Sequence, residues 1–233
     1  MPVSSVAPFL AESGRPIFEW RWVERNADAI VTRLGEHVSL TAAALGIGLA
    51  ASLALSVLSL RYRWFYSVTL GTAGALYVIP SLGAFAVLAP LFGITSYATV
   101  VIPLATYTLL ILVRNIVTGV DQVPRDVREA AVGMGFTRSR LLWQVELPLA
   151  LPVVIAGLRV AAVTTIGLVT VTSILGRGGL GYFILAGIRT TIPNPTPIVV
   201  GIVLSVALAV TVDLLLWLSE RALAPWARKA RAR

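Results

Sequence analysis

Cysteine is absent from the 233 residues, and histidine occurs once, as His37. The first absence excludes disulfides, thiolate catalysis and cysteine-ligated metal sites. The second excludes a histidine-rich metal site and any Ser/His triad away from His37. We expect His37 to form hydrogen bonds rather than to bind a metal. The only lysine, Lys229, does not follow a glycine-rich run, so the sequence contains no P-loop for ATP.

Charged residues are also scarce. They make up 13% of the chain, against about 25% in a soluble globular domain. Hydrophobic residues make up 57%, and the mean hydropathy is +0.86. A soluble fold of this size could not cover its surface with so few charges, so we predict an integral membrane protein. The net charge of +8 then indicates basic loops facing an anionic cytoplasmic leaflet, with membrane lipid and no nucleic acid as partner.

Uncharged stretches give the number of membrane passes, because a spanning helix needs about 20 apolar residues. Residues 64–113 carry no charge, and as one helix they would measure roughly 75 Å. We therefore expect this stretch to fold back near Pro90, Gly93 and Ser96. The sequence predicts five passes, at about 38–60, 66–89, 97–113, 149–175 and 197–218.

The distribution of basic residues predicts the orientation. Twelve basic residues lie in the 61–63 loop, the 114–148 loop and the tail, and six lie on the other side of the membrane. The sequence thus predicts a multi-pass protein of a prokaryotic plasma (inner) membrane, with its N-terminus outside and its C-terminus in the cytoplasm. We divide it into an N-terminal extension, a transmembrane domain and a basic cytoplasmic tail, at residues 1–36, 37–219 and 220–233.

The N-terminal extension contains one amphipathic segment. It is not a signal peptide, because it has acidic residues throughout and no apolar core. Its apolar residues recur at helical spacing, at Trp20, Val23, Ala27, Ile30 and Leu34. This pattern fits a helix lying in the membrane interface and anchored by Trp20 and Trp22, and it equally fits a short helix packed against the rest of the protein.

The 114–148 loop is the one substantial polar segment on the cytoplasmic side. Pro124 suits a first helical turn, and residues 126–132 are good helix formers that end at Gly133 and Gly135. Thr137 can cap a second helix, over residues 138–146, which we expect to stop at Leu147–Pro148. Two short helices around a glycine turn predict a compact projection. The small residues Ala130 and Ala131 beside that turn suit the close approach of another protein.

The sequence of this loop resembles a known motif. Glu129-Ala130-Ala131, then Gly135, then Val145-Glu146-Leu147-Pro148 resemble the EAA loop of ABC-importer permeases, in which isoleucine stands at the position of Val145. The resemblance implies an all-α membrane protein with five transmembrane helices in a methionine-importer-permease-like core, an N-terminal interfacial helix and a cytoplasmic coupling helix. It implies that a separate ATP-binding subunit, which binds ATP and Mg, docks on Glu129, Ala130, Ala131, Gly135, Val145, Leu147 and Pro148.

Three further segments, 75–82, 146–152 and 176–181, resemble the glycine betaine/carnitine/choline (osmoprotectant) permease branch. This resemblance implies import of a quaternary-ammonium osmoprotectant that an extracytoplasmic substrate-binding protein selects. The methionine-importer permeases share the architecture and the glycine-rich segment, so a methionine or other amino-acid importer remains the alternative. The resemblance covers most of residues 36–226, and the first 35 residues match no pattern that we can place.

The glycine-rich segment satisfies G-x-G-x-x-G, but no strand precedes it, which argues against a dinucleotide site. Residues 178–188 would form a helix of about 16 Å, too short to span, so we expect a re-entrant or surface helix beside the outer mouth, within 173–189. The predicted pathway and gate residues are Pro80, Ser81, Thr172, Ser173, Gly176, Gly178, Gly179 and Gly181. Serine and threonine side chains in the passes either line a pore or bond back to their own helices.

Two charges lie inside predicted passes, Arg159 and Asp213. They have opposite signs and comparable depths, so they either pair or face headgroups and water separately. The alternative class of function is a membrane-embedded enzyme, which needs a cluster of titratable groups within the membrane. Only Arg159 and Asp213 qualify, and this argues against an enzyme. We therefore expect a non-enzymatic, pore-forming subunit with no cofactor of its own. Since five helices seldom enclose a pathway, a second copy or a homologous permease is implied.

Overall fold

The computed structural model describes residues 16–190 and 194–226, and every regular element in those ranges is helical. The α-helices are α1 Trp20–Arg25, α2 Ala27–Arg61, α3 Arg63–Val78, α4 Ser81–Phe92, α5 Tyr97–Asp121, α6 Arg125–Gly133, α7 Arg138–Leu141, α8 Leu147–Val171, α9 Gly181–Ile188 and α10 Pro195–Leu223. A π turn, Leu142–Glu146, joins α7 to α8, and a 3₁₀ turn, Thr172–Leu175, follows α8. The predicted all-α class is confirmed.

Four helical runs of the described residues are long and apolar enough to cross a membrane, and one bent pair brings the number to five. The four are α2, α5, the continuous run Arg138–Leu175 and α10. The predicted pass at 66–89 is wrong as a single straight helix, because α3 and α4 meet at an angle of 92°. The break falls at Ile79 and Pro80, since proline has no N–H and forces the residue before it into an extended conformation. The break predicted near Pro90, Gly93 and Ser96 is present: α4 continues through Pro90 and ends at Phe92, and α5 begins at Tyr97 after its N-cap Ser96.

The centre of the bundle is α5, which packs between α2 and α8. Small residues allow α2 to approach α5 closely: a Cβ added at Gly48 would lie 1.9 Å from Thr108 Oγ1. Toward one end, Phe85 of α4 enters a buried cluster with Leu40, Val100, Leu104 and Val169. This packing fixes the relative positions of α2, α5 and α8, which carry or border the sites described below.

The N-terminal segment does not form a helix separate from the first membrane span. Only Asn26 interrupts it, and Ala27 begins α2, whose 35 residues measure about 52 Å and run through the predicted domain boundary at residue 36. The Trp22 ring packs edge-on against Phe183 with centroids 5.8 Å apart. The short helix α1 thus packs against the protein itself, the second of the two alternatives. Residues 1–15 of the extension and 227–233 of the tail lie outside the described residues.

The sequence predicted that the second helix of the cytoplasmic loop stops at Leu147–Pro148, and this prediction is wrong. The π turn carries it directly into α8. A proline in the first turn of a helix removes no intrahelical hydrogen bond, and the wider π turn before it leaves room for the ring. The projection and the membrane span are therefore mechanically continuous.

Candidate functional site

The cytoplasmic projection is built around the C-terminus of α6. The Gly135 N–H donates to the Val132 carbonyl at 2.9 Å, and the Phe136 N–H donates to the Ala131 carbonyl at 3.1 Å. Gly135 has φ of +81°. This double hydrogen bond is the Schellman motif, which requires a left-handed residue and therefore favours glycine. The sequence correctly placed the turn, and Thr137 begins the next helix by accepting a hydrogen bond from the Arg140 N–H at 3.3 Å.

The two faces of α6 differ in what they offer. Ala131, one of the predicted docking residues, is 2% exposed and packs against its own chain. The exposed residues form a face that we call the α6 outer face: Glu129, Ala130, Val132 and Met134. Val132 and Met134 were not among the predicted docking residues, although Val132 follows Glu129 by three positions and is therefore its neighbour on the helix surface.

Arg128, at the edge of the α6 outer face, ties the projection to the membrane domain. Arg128 Nε lies 3.0 Å from Glu146 Oε1, and both side chains are partly buried. Val145, Leu147 and Pro148 are half-buried at the same junction, between the projection and α8. These three predicted coupling residues therefore connect the projection to a membrane span, while the α6 outer face is what a partner would meet.

At the other end of the bundle, the glycine-rich segment packs tightly on its neighbours. A Cβ at Gly178 would lie 2.2 Å from the Ser173 backbone nitrogen, and one at Gly181 would lie 2.2 Å from the Thr170 carbonyl oxygen. Gly176 is exposed and has φ of +81°. The short helix expected here is present as α9, which has eight residues. The glycines serve close backbone approach, and the segment is well packed in this conformation.

His37 holds the segment to the core. Its Nδ1 accepts the Leu180 N–H at 3.3 Å, and its Nε2 lies 3.2 Å from the Ile166 carbonyl oxygen. Since a carbonyl only accepts, the proton sits on Nε2 and the ring is the neutral tautomer. Gly179 has φ of +49°, and a Cβ added there would lie 2.5 Å from His37 Cβ. The expectation that His37 forms hydrogen bonds is confirmed, and the described residues contain no group of three metal-ligating side chains.

Arginines and one carboxylate add a polar link beside His37. Glu36 accepts from Arg33 at 2.8 Å and lies 3.9 Å from Arg177. Arg177 also donates to the Thr95 carbonyl, in the connection between α4 and α5. Arg33 stacks at 4.1 Å over the Tyr182 ring. This network, the outer arginine network, joins α2, the glycine-rich segment and the α4–α5 connection. No local sequence signal predicts it.

The predicted pathway residues fall into two separate groups. Pro80 and Ser81 lie at the bend between α3 and α4, where the Tyr107 hydroxyl donates to the Ile79 carbonyl at 2.8 Å. Thr172 and Ser173 are buried next to the glycine-rich segment. The sequence left open whether hydroxyl side chains line a pore or bond back to their own helices. Back-bonding to carbonyls of the preceding turn is observed for Thr106, Thr108, Thr165, Thr170 and Thr172.

The two intramembrane charges pair. Arg159 Nε and Nη2 donate to the two carboxylate oxygens of Asp213, both at 2.7 Å. The pair joins α8 to α10 and uses the fork geometry in which guanidinium and carboxylate match best. Of the two alternatives left open by the sequence, pairing is the one observed.

Known permeases are similar to this chain along most of its length. The osmoprotectant import permease protein OsmW of Salmonella typhimurium is 35% identical over 200 residues, covering 84% of this chain and 91% of that protein. The choline transport system permease protein OpuBB of Bacillus subtilis is 31% identical over 205 residues, covering 88% and 93%.

Solved transporters share the fold. A crystal structure of an amino acid ABC transporter with histidines has a TM-score of 0.74 at 18% identity, covering 88% of this chain and 98% of that one. An inward-facing crystal form of the MetNI methionine ABC transporter has a TM-score of 0.70 at 20% identity, covering 83% and 95%. These similarities confirm the predicted methionine-importer-permease-like core.

The family described as binding-protein-dependent transport system inner membrane component matches residues 43–225. This range contains the α6 projection, the glycine-rich segment and the Arg159–Asp213 pair. The resemblance inferred from the EAA loop is confirmed, and the chain belongs to this family of inner-membrane permeases.

Proposed function

We propose that this permease imports a quaternary-ammonium osmoprotectant of the glycine betaine, choline or carnitine type. The observation that carries the proposal is the identity of 30–35% to permeases named for osmoprotectant, choline and carnitine transport, over 84–90% of the chain. The segments at 75–82, 146–152 and 176–181 had pointed to the same branch.

The energy for transport comes from a separate ATP-binding subunit, which binds ATP and Mg. The absence of a P-loop from the sequence supports this division of labour. The α6 outer face is the docking surface, because it presents exposed apolar side chains beside a rigid glycine turn. Movement of the projection reaches the membrane domain through the π turn, which is continuous with α8.

Substrate arrives from an extracytoplasmic binding protein and crosses between two permease subunits, either two copies or a homologous pair. The glycine-rich segment and the outer arginine network form the outer gate. Two features support this arrangement. The α10 helix leaves most of its apolar surface uncovered. Twelve basic residues lie on the side of the 114–148 loop, against six on the side of the glycine-rich segment. The N-terminus then lies outside and the C-terminus in the cytoplasm.

The test is uptake into proteoliposomes that contain the permease, its ATPase and its binding protein. Radiolabelled glycine betaine, choline, carnitine and methionine are compared with and without internal ATP, and calorimetry measures the binding of each to the isolated binding protein. We expect ATP-dependent uptake of at least one quaternary ammonium compound and none of methionine. Uptake of methionine alone would overturn the proposed substrate class and favour the amino-acid alternative.

A further inference from the structure

A cavity of about 380 Å³ lies where the membrane helices meet the projection, between Arg61 at the end of α2, Arg63 at the start of α3 and Asp121 at the end of α5. Arg128 and Arg138 close it from the projection side. Because three membrane-crossing elements begin or end here, the cavity lies at the level of the lipid headgroups. We call it the arginine cavity.

The arginine cavity carries an excess of positive charge. Four arginines and two carboxylates line it, which leaves a net charge of +2. Both carboxylates already have partners: Arg63 holds Asp121 through two hydrogen bonds of 2.8 and 2.9 Å, and Arg128 holds Glu146. Within the described ranges, Arg61 and Arg138 have no acidic partner. Arg61 donates one hydrogen bond, to the Tyr62 hydroxyl at 3.1 Å, through Nε. Two guanidinium groups that line one cavity and lack a carboxylate partner suit a phosphate, which accepts hydrogen bonds from both.

The rest of the wall is that of an amphiphile site. Val57, Leu60 and Leu142 line it beside the arginines, and so does Trp143, which is 57% exposed. Exposed tryptophans are enriched at the boundary between lipid and water. Basic pockets between membrane helices on the cytoplasmic side are suited to anionic headgroups. A free inorganic anion would gain no favourable contact from the apolar side chains of the wall, whereas the acyl chains of a lipid would.

We propose that the arginine cavity binds the phosphate of an anionic phospholipid from the cytoplasmic leaflet, bridging Arg61 of α2 to Arg138 of α7. The occupant braces the projection against the membrane domain. It leaves the α6 outer face free, because Glu129 and Val132 are exposed and do not line the cavity. Lipid binding is independent of the proposed transport function; only its influence on coupling rests on that function.

The test measures lipid binding directly, by native mass spectrometry of the purified permease complex titrated with phosphatidylglycerol or phosphatidylcholine. We compare wild type with R61Q/R138Q and with the matched control R114Q/R125Q, which removes two exposed arginines that do not line the cavity. Phosphatidylglycerol should bind about tenfold or more weakly to R61Q/R138Q and normally to the control. R61K/R138K, which keeps both charges, should retain most of the affinity and guards against loss by misfolding.

Three outcomes would overturn the inference. Equal phosphatidylglycerol binding by R61Q/R138Q and wild type would show that the cavity holds no lipid. Equal affinity for phosphatidylcholine would remove the role of charge, and complete displacement by inorganic phosphate would assign the cavity to a free anion. Since the readout is binding, a failure of substrate uptake in the proteoliposome assay leaves this result unaffected, and the two proposals can fail separately.

Discussion

Alanine at Gly179 should destabilise the protein much more than alanine at Gly176, although both residues have positive φ values and lie in one glycine-rich segment. At Gly176, φ is +81° and the nearest atom to an added Cβ is Thr95 Cγ2 at 3.6 Å, an ordinary contact. The cost there is the left-handed conformation alone, about 1 kcal/mol. At Gly179 the same strain is joined by contacts of 2.5 Å to His37 Cβ and 2.7 Å to its Cα.

The neighbour at Gly179 cannot move easily, since the His37 ring is held by Leu180 and Ile166 and its backbone belongs to α2. Overpacking of a buried site costs about 1–3 kcal/mol, so G179A should lose roughly 2–4 kcal/mol in total. For a protein of this size, that corresponds to a fall in melting temperature of roughly 4–16 °C, against about 2–4 °C for G176A.

Thermal unfolding of the purified protein in detergent, followed by intrinsic tryptophan fluorescence, measures both variants under identical conditions. G71A is the control that should not lower the melting temperature, because Gly71 is helical, has no positive φ and has no neighbour within 4 Å of the added Cβ. If G179A and G176A lowered the melting temperature equally, the close contact with His37 would carry no energy and the reasoning would be refuted.

Three further predictions concern coupling, pairing and gating. Replacing Gly135 with valine should leave membrane insertion intact but weaken ATPase co-purification, because a β-branched residue disfavours φ of +81°; normal co-purification with normal substrate-stimulated ATP turnover would contradict this. Arg159→Ala and Asp213→Ala should each impair assembly or transport, with the double variant no worse than either single, whereas additive losses would show that the two residues act independently. A cysteine that replaces the fully buried Leu180 should resist a water-soluble thiol reagent in this conformation, while a cysteine that replaces the exposed Tyr182 should react. Trapping ATP should alter the labelling of at least one of these cysteines. Unchanged labelling of both would count against a gate at the glycine-rich segment.

The bend between α3 and α4 illustrates a limit of reading proline from the sequence. Prolines 80, 90, 103 and 152 all lie in apolar stretches, yet only Pro80 falls at a break, and the other three are inside helices. A missing N–H can be tolerated when the surrounding packing holds the helix in place. At Pro80, the Tyr107 hydroxyl satisfies the freed carbonyl of Ile79 and makes the break stable.

Local chemistry determined much of this protein. Scarce charge and long apolar runs determined the membrane location and the all-α class, since an unpaired backbone in lipid is too costly for anything but helices or closed barrels. Proline before α6, glycine after it and threonine before α7 determined the shape of the projection, because each acts on its own few backbone bonds. The resemblance of this loop to the EAA motif also indicated the family.

Only the tertiary structure decided which side chains meet. The two His37 hydrogen bonds join residues 129 and 143 positions apart, and the Arg159–Asp213 pair spans 54. Ala131 and Ala130 are identical neighbours in the sequence, but one is buried against the chain and the other lies on the α6 outer face. Such contacts depend on how closely α2, α5 and α8 approach, which is set by small residues on several helices at once, and no single stretch of sequence contains that information.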